Sequence, residues 1–182
     1  MRFRIKRRLF YLSLGAVAFL VAYYIGATTK LSDKDASDLK KQFADQTQGI
    51  DQYGIFANNM RIALGMFIPA FGAGLGVFSG LSTGMVFSAL AKNSPILSSY
   101  SPLIIMISPF GVMEVFAYGL AMSRSGMLVY QLVKRKPWRE YVVPTAIEVG
   151  IAVVVLLVAA IIEWGLIVQF GGLAPGGNSL RL

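Results

Sequence analysis

The stretch FGAGLGVFSGLSTGMVFS, residues 71–88, decides the class of fold. Four glycines and a serine recur in it every four residues: Gly72, Gly76, Gly80, Gly84 and Ser88. In an α-helix this spacing places the small residues along one face, which another helix can approach closely. Because two apolar helices gain nothing from the hydrophobic effect when they associate in lipid, packing there depends on such close approach. The stretch therefore predicts a helix packed within a membrane bundle.

The composition agrees with a membrane protein. Hydrophobic residues make up 55% of the 182 residues, charged residues only 14%, and the mean hydropathy is +0.62. The chain contains neither cysteine nor histidine. It therefore lacks the thiolates and imidazoles that supply most nucleophiles, general bases and zinc or haem ligands. We expect no catalytic, cofactor-binding or metal-binding residues, and no enzymatic activity.

Apolar length predicts an all-α, polytopic transmembrane bundle of about five spans. About 20 helical residues cross a hydrocarbon core of about 30 Å. The predicted spans cover residues 9–28, 55–71, 74–90, 108–133 and 143–167. Pro69 and the turn-like sequence Gly72-Ala73-Gly74 are expected to separate the second span from the third. Residues 95–108 are expected to form a re-entrant or interfacial segment.

Lysine and arginine predict the orientation, because they concentrate on the cytoplasmic side of membrane proteins. Five basic residues precede the first span, and four more lie between residues 134 and 139. Both segments are therefore expected in the cytoplasm, with the C-terminus outside a multi-pass protein of the plasma membrane. The same rule accounts for the net charge of +8 without nucleic acid as a partner.

This topology divides the chain into four parts. Residues 1–29 form an N-terminal anchor helix, although a cleaved signal peptide is the alternative. Residues 30–53 form an external amphipathic segment whose helix, Ser32 to Gln48, is capped by Ser32. Residues 54–168 form a four-span core, and residues 169–182 form a flexible external tail.

Several polar residues fall inside the apolar stretches, where charged side chains are costly unless they are paired or face water. We predict one intramembrane network, with Arg61 close enough to Glu114 to pair with it: Asn58, Asn59, Arg61, Glu114 and Glu163. Such residues either fix helix contacts or line a path for a solute or ion. The sequence leaves both interpretations open.

The basic loop after the fourth span is a candidate cytoplasmic contact. It comprises Lys134, Arg135, Lys136, Trp138 and Arg139. Basic residues beside an interfacial tryptophan are typical of a topology signal that also contacts anionic lipid. Docking of a partner protein is the alternative.

Several local sequences, taken together, resemble the stage II sporulation protein M family across about residues 54–167. They are the asparagine pair at 58 and 59, the glycine-rich third span, the motif Pro109-x-Gly111-x-x-Glu114, Gly126, and Ala159-Ala160 before Glu163. Two positions differ from the family pattern, since Phe110 replaces the usual histidine and Thr83 replaces the usual asparagine before Gly84. The resemblance implies an integral membrane protein of five or six spans, and its name-giving member is thought to be a membrane scaffold for peptidoglycan-degrading partners.

Two functions from different classes follow. The first is a non-enzymatic scaffold or accessory subunit that packs against the bilayer and against other integral membrane or outer-face proteins, or against further copies of itself. The second is the transmembrane subunit of a transporter, in which a homodimer or a partner ATPase contacts the basic loop and Asn58, Arg61 and Glu114 line the path. Replacing Glu114 separates the two functions, because only a transporter needs its charge for flux.

Overall fold

The computed structural model describes residues 2–92 and 94–171, and within them every regular element is helical. The helices are α1 (Arg2–Thr28), α2 (Asp33–Thr47), α3 (Gln52–Met66), α4 (Phe71–Ala91), α5 (Pro95–Ser98), α6 (Pro109–Val133) and α7 (Arg139–Gly171), with one 3-10 turn at Pro102–Ile104. The all-helical prediction is confirmed. Most of the predicted external tail, residues 172–182, lies outside the described residues.

Three helices of the described chain are long and apolar enough to cross a membrane: Ile5–Thr28, Gly72–Ala91 and Arg139–Gln169. They contain the predicted first, third and fifth spans. The predicted fourth span is also helical and the second is helical as far as Met66, but α3 has only 15 residues and α6 carries Glu114, Arg124 and Gln131. A helix of 15 residues is about 22 Å long, which is shorter than a hydrocarbon core of about 30 Å.

Helix α1 packs against both α4 and α6, and glycines make both contacts close. Gly84 faces the backbone of α1 at Tyr23 and Ala27, so a Cβ atom there would overlap main-chain atoms. Nearer the start of α1, on the same buried face, Gly15 meets Gly119 of α6, where an added Cβ would lie 2.6 Å from a carbonyl oxygen. The order of these contacts shows that α1 and α4 run parallel and that α6 runs antiparallel to α1.

The small-residue face of α4 is shared among three helices. All four of its glycines are buried. Gly80 and Gly84 face α1, where Ser88 also donates a hydrogen bond of 2.8 Å to the carbonyl of Thr29. Gly76 faces Met122 of α6, and Gly72 faces the last turn of α3. The face therefore packs inside one chain, against more than one neighbour.

The break between α3 and α4 differs from the prediction. Gly72 and Gly74 already belong to α4, and the turn is made by Pro69 and Ala70 instead. Ala70 has φ 65° and ψ −36°, and the amide of Phe71 donates a 2.8 Å hydrogen bond to the carbonyl of Pro69. This geometry is that of the strained γ-turn. The fully buried Ser125 of α6 donates a 2.7 Å hydrogen bond to the carbonyl of Ile68, which satisfies the turn's backbone inside the bundle.

Two short segments close one end of the bundle, which we call the α2 end. Ser32 caps α2 as predicted, accepting a 3.1 Å hydrogen bond from the amide of Asp35. Asp33 pairs with Lys92 beyond α4 at 2.7 Å, and the hydrogen bond and charge of Lys92 lower the pKa of Asp33. The segment from 95 to 108 packs at the same end, because the hydroxyl of the buried Tyr23 donates a 2.9 Å hydrogen bond to the carbonyl of Pro102.

Replacing Gly84 by alanine should destabilise the protein. The added methyl group would overlap the backbone of α1, and overpacking of this kind costs about 1–3 kcal/mol. Gly74→Ala is the matched control, because no atom lies within 4 Å of a Cβ at that position. Thermal unfolding in detergent should show a lower midpoint for Gly84→Ala and an unchanged or higher one for Gly74→Ala. Equal midpoints would contradict the close α1–α4 contact.

Replacing Ala70 by glycine should stabilise the protein. Glycine adopts a positive φ without the Cβ clash, which is worth about 1 kcal/mol. Ala73→Gly makes the same chemical change in the first turn of α4, where it should instead cost about 0.5–1 kcal/mol. Opposite shifts of the unfolding midpoint are expected in the same detergent, and a loss of stability in Ala70→Gly would rule out the γ-turn.

Candidate functional site

A buried ion cluster joins α1, α6 and α7, and we call it the Glu148 cluster. The Nε and Nη2 atoms of Arg8 donate to the two carboxylate oxygens of Glu148, each at 2.6 Å. Arg124 also donates to both oxygens, with its Nε 2.7 Å from Oε2 and its Nη2 bonded to Oε1. The side chain of Arg124 is only 4% exposed and that of Glu148 only 11%. One carboxylate therefore holds two guanidinium groups in bidentate contacts between three helices.

The cluster also fixes Arg8 to the backbone of α6. Arg8 donates to the hydroxyl of Ser123 at 2.7 Å and to the carbonyl of Leu120 at 3.1 Å. From the sequence, Arg8 was assigned only to the basic segment before the first span. It is instead part of the interior, and the cluster was missed because its partners lie 115 and 140 residues away. The signal that indicates a pairing is that Arg124 and Glu148 both lie inside apolar stretches, where an unpaired charge is costly.

A second polar group lies nearer the α2 end. The side-chain amide of Asn59 on α3 donates a 2.5 Å hydrogen bond to a carboxylate oxygen of Glu114 on α6. Glu163 of α7 lies within electrostatic range of Glu114. Among the described residues, neither carboxylate takes part in an ion pair. The structure thus brings together three members of the predicted network: Asn59, Glu114 and Glu163.

The motif Pro109-x-Gly111-x-x-Glu114 builds the start of α6. Ser108 caps the helix by accepting a 3.1 Å hydrogen bond from the amide of Gly111, and Pro109 occupies the first turn. Gly111 allows the preceding segment to approach, since an added Cβ would overlap the carbonyl of Ile105. Glu114 then lies one turn inside the helix, where it can reach α3. The motif therefore has a structural role in placing Glu114.

The other two members of the predicted network lie elsewhere. Asn58 and Arg61 are exposed on the outward face of α3, and the guanidinium of Arg61 donates to the amide oxygen of Asn58 at 3.3 Å. No ion pair of Arg61 occurs among the described residues. The predicted pairing of Arg61 with Glu114 is therefore not found. Adjacent residues on a helix point about 100° apart, which is why Asn58 and Asn59 reach different surroundings.

The basic loop lies at the end of the bundle opposite the α2 end, and we call this the loop end. Its residues are exposed: Lys134, Arg135, Lys136, Trp138 and Arg139. Arg135 has φ 47° and terminates α6 in a Schellman motif, in which its amide and that of Lys136 donate to the carbonyls of Leu132 and Gln131, each at 3.0 Å. Glycine is the usual residue at this position. The turn itself therefore does not require a cation at residue 135.

The surface between α3 and α7 carries a groove of about 460 Å³ near the α2 end. It is lined by Gln52, Tyr53, Leu157, Ile161, Trp164 and Gly165. Within residues 2–92 and 94–171, histidine, cysteine, aspartate and glutamate form no cluster of three that could hold a metal ion.

These features define a helical membrane protein whose interior charges are bonded from helix to helix. The family model of stage II sporulation protein M matches residues 9–164, which include both polar groups apart from Arg8, the motif at the start of α6 and the small-residue face of α4. The chain therefore belongs to the stage II sporulation protein M family, as its motifs predicted. Comparisons with curated proteins and with solved structures give no match.

Removing the charge of Glu148 should strongly destabilise the bundle. In Glu148→Gln, two largely buried guanidinium groups lose their counter-charge, and breaking a buried ion pair in this way costs about 3–5 kcal/mol. Glu140→Gln is the control, since Glu140 is exposed and its oxygen lies 3.8 Å from Lys136, a contact worth about 0.5 kcal/mol or less. Thermal unfolding in detergent should separate the two variants clearly. Similar midpoints would mean that the cluster does not hold the three helices together.

Proposed function

We propose that the chain is a non-enzymatic integral membrane scaffold or accessory subunit that organises other membrane or outer-face proteins. The proposal rests on where the polar residues lie: some are inside the bundle and others are on its surface. Those inside the bundle bond one helix to another, as Arg8, Arg124 and Glu148 do. Those outside it, on α3 and in the basic loop, are exposed and available for contacts with other molecules.

The proposal includes the five-span topology. The contacts support alternating directions, because α3 and α6 run from the α2 end toward the loop end, whereas α1, α4 and α7 run the other way. The basic residues at the start of α1 and in the loop after α6 share one end, which favours the cytoplasm for that end. The α2 end would then face outward from the plasma membrane.

The transporter alternative is less well supported by the geometry. It places Asn58, Arg61 and Glu114 along one path, but the first two lie on the outward face of α3 and Glu114 contacts Asn59. For the scaffold, Glu114 needs only to accept the hydrogen bond of Asn59. A glutamine at the same position can also accept it.

Purification of the tagged protein from its own membranes tests the proposal. We expect integral or outer-face proteins to co-purify stoichiometrically with the wild type, with Glu114→Gln and with the control Glu140→Gln. The complex mass and mass spectrometry of the partners provide the measurement.

Two results would contradict the scaffold. One is a species without protein partners. The other is a complex that assembles normally in Glu114→Gln but loses solute flux in reconstituted vesicles, which would establish the transporter.

A further inference from the structure

The outward face of α3 carries a cation, Arg61, that forms no ion pair within residues 2–92 and 94–171. Arg61 lies nine residues after Gln52, where α3 begins, and five residues before Met66, where it ends. At 1.5 Å per residue these positions are about 13 Å and about 7 Å from the two ends of the helix. The residue is exposed, and its one described hydrogen bond goes to a neutral amide on its own helix.

The neighbours of Arg61 form a surface suited to another helix. Ala57 and Leu64 lie on the same face of α3 as Arg61, Ile68 follows in the turn after the helix, and each of the three is exposed. Leu64 is 46% exposed and Ile68 50%. We call the surface formed by Tyr53, Ala57, Arg61, Leu64 and Ile68 the α3 face. It is apolar apart from its arginine and the Asn58 beside it.

The groove between α3 and α7 continues this surface toward the α2 end. Tyr53 belongs to both, and it is 66% exposed. Gly165 on the other wall has no atom within 4 Å of a Cβ position, so the wall is open there. A helix lying on the α3 face could thus place a side chain in the groove.

Based on this face and on the scaffold function proposed above, we propose that the α3 face binds a transmembrane helix of another protein, with an Asp or Glu carboxylate of that helix opposite Arg61. The exposed guanidinium in the middle of the helix would be stabilised by an anion at the same depth. A carboxylate would accept its donors in a charge-assisted contact inside an apolar interface.

The acidic side chains of a second copy, all of which lie within the described residues, do not supply such a carboxylate. All five aspartates lie between residues 33 and 51, in or beside α2, and Glu140 lies in the first turn of α7 at the loop end. The remaining acidic residues are bonded in the bundle or face its interior: Glu114, Glu148 and Glu163. Lipid phosphates lie at the ends of the spans, whereas Arg61 lies in the middle of α3. The counter-charge is therefore assigned to a different protein.

Site-specific photocrosslinking in native membranes tests this assignment. A photoreactive residue replaces Leu64, one turn from Arg61 on the α3 face, and a control replaces Val154, which is 62% exposed on α7. We expect the probe at residue 64 to capture an apolar segment that contains Asp or Glu, and the probe at 154 not to capture it.

Variants that change the charge at residue 61 then test whether capture by the probe depends on Arg61. Capture should survive Arg61→Lys and fall by about tenfold or more in Arg61→Glu, because like charges would then meet in an apolar interface. Replacing the captured carboxylate by arginine should restore capture to the Arg61→Glu variant. Because Arg61 is exposed, these variants should keep the unfolding midpoint of the wild type.

Four results would overturn the proposal: adducts with lipid alone, adducts with a second copy of this chain, capture of a segment without a carboxylate, or capture that is insensitive to Arg61→Glu. If partners co-purify but the probe at residue 64 does not reach them, the binding site proposed on the α3 face is wrong, whereas the proposed scaffold function is still supported. If no partner is found by either method, the scaffold function itself fails.

Discussion

The rest of the structure depends on how closely α1 approaches its two neighbours. In lipid, helices associate through packing and hydrogen bonds, so the distance between backbones sets the strength of the contact. Gly80 and Gly84 bring α4 against the second half of α1, and Gly15 with Gly119 brings α6 against its first half. One face of α1 therefore holds both α4 and α6, while its other face is exposed. A side chain at any of these four positions would separate the helices and weaken the polar contacts between them.

The polar contacts depend on that packing, and in turn fix its register. Glu148 can hold Arg8 and Arg124 together only because α1, α6 and α7 meet at the same height. The two arginines and one glutamate leave one positive charge in excess, close to the basic start of α1. Ser125 similarly satisfies the carbonyl of Ile68 at a point where the α3–α4 turn would otherwise expose backbone within the bundle. Each contact is strong because water is largely excluded. Removing one partner would leave the other buried and unpaired, which would lower the stability of the bundle.

The features that could be predicted from the sequence are those that local patterns determine. Helical spacing identified the buried face of α4, and Ser32 identified the start of α2 through its capping side chain. Contacts between distant residues were harder to predict, because periodicity gives the face of a helix but not its neighbour. Arg8 appeared to be one of five basic residues in a topology signal, although its partner lies 140 residues away. The α3–α4 break was predicted at Pro69 and at the glycines after it. Pro69 does belong to the turn, but the strained residue is Ala70, whose side chain gives no local signal of a positive φ.

The placement of α3 makes the bundle asymmetric. From Ser125, which contacts the α3–α4 turn, α6 continues for eight residues to Val133, so α6 extends about 12 Å beyond the turn toward the loop end. Helix α3 is the shortest of the long helices that pack against α6, and it packs on the outside of α7, α4 and α6. A short peripheral helix with an exposed arginine is poorly suited to face hydrocarbon alone, since lipid solvates neither the charge nor the amide beside it. The same features suit a helix that is covered on one side by this chain and on the other by a second protein. The asymmetry thus gives the bundle one side that is complete within the chain and one side that is suited to completion by a partner.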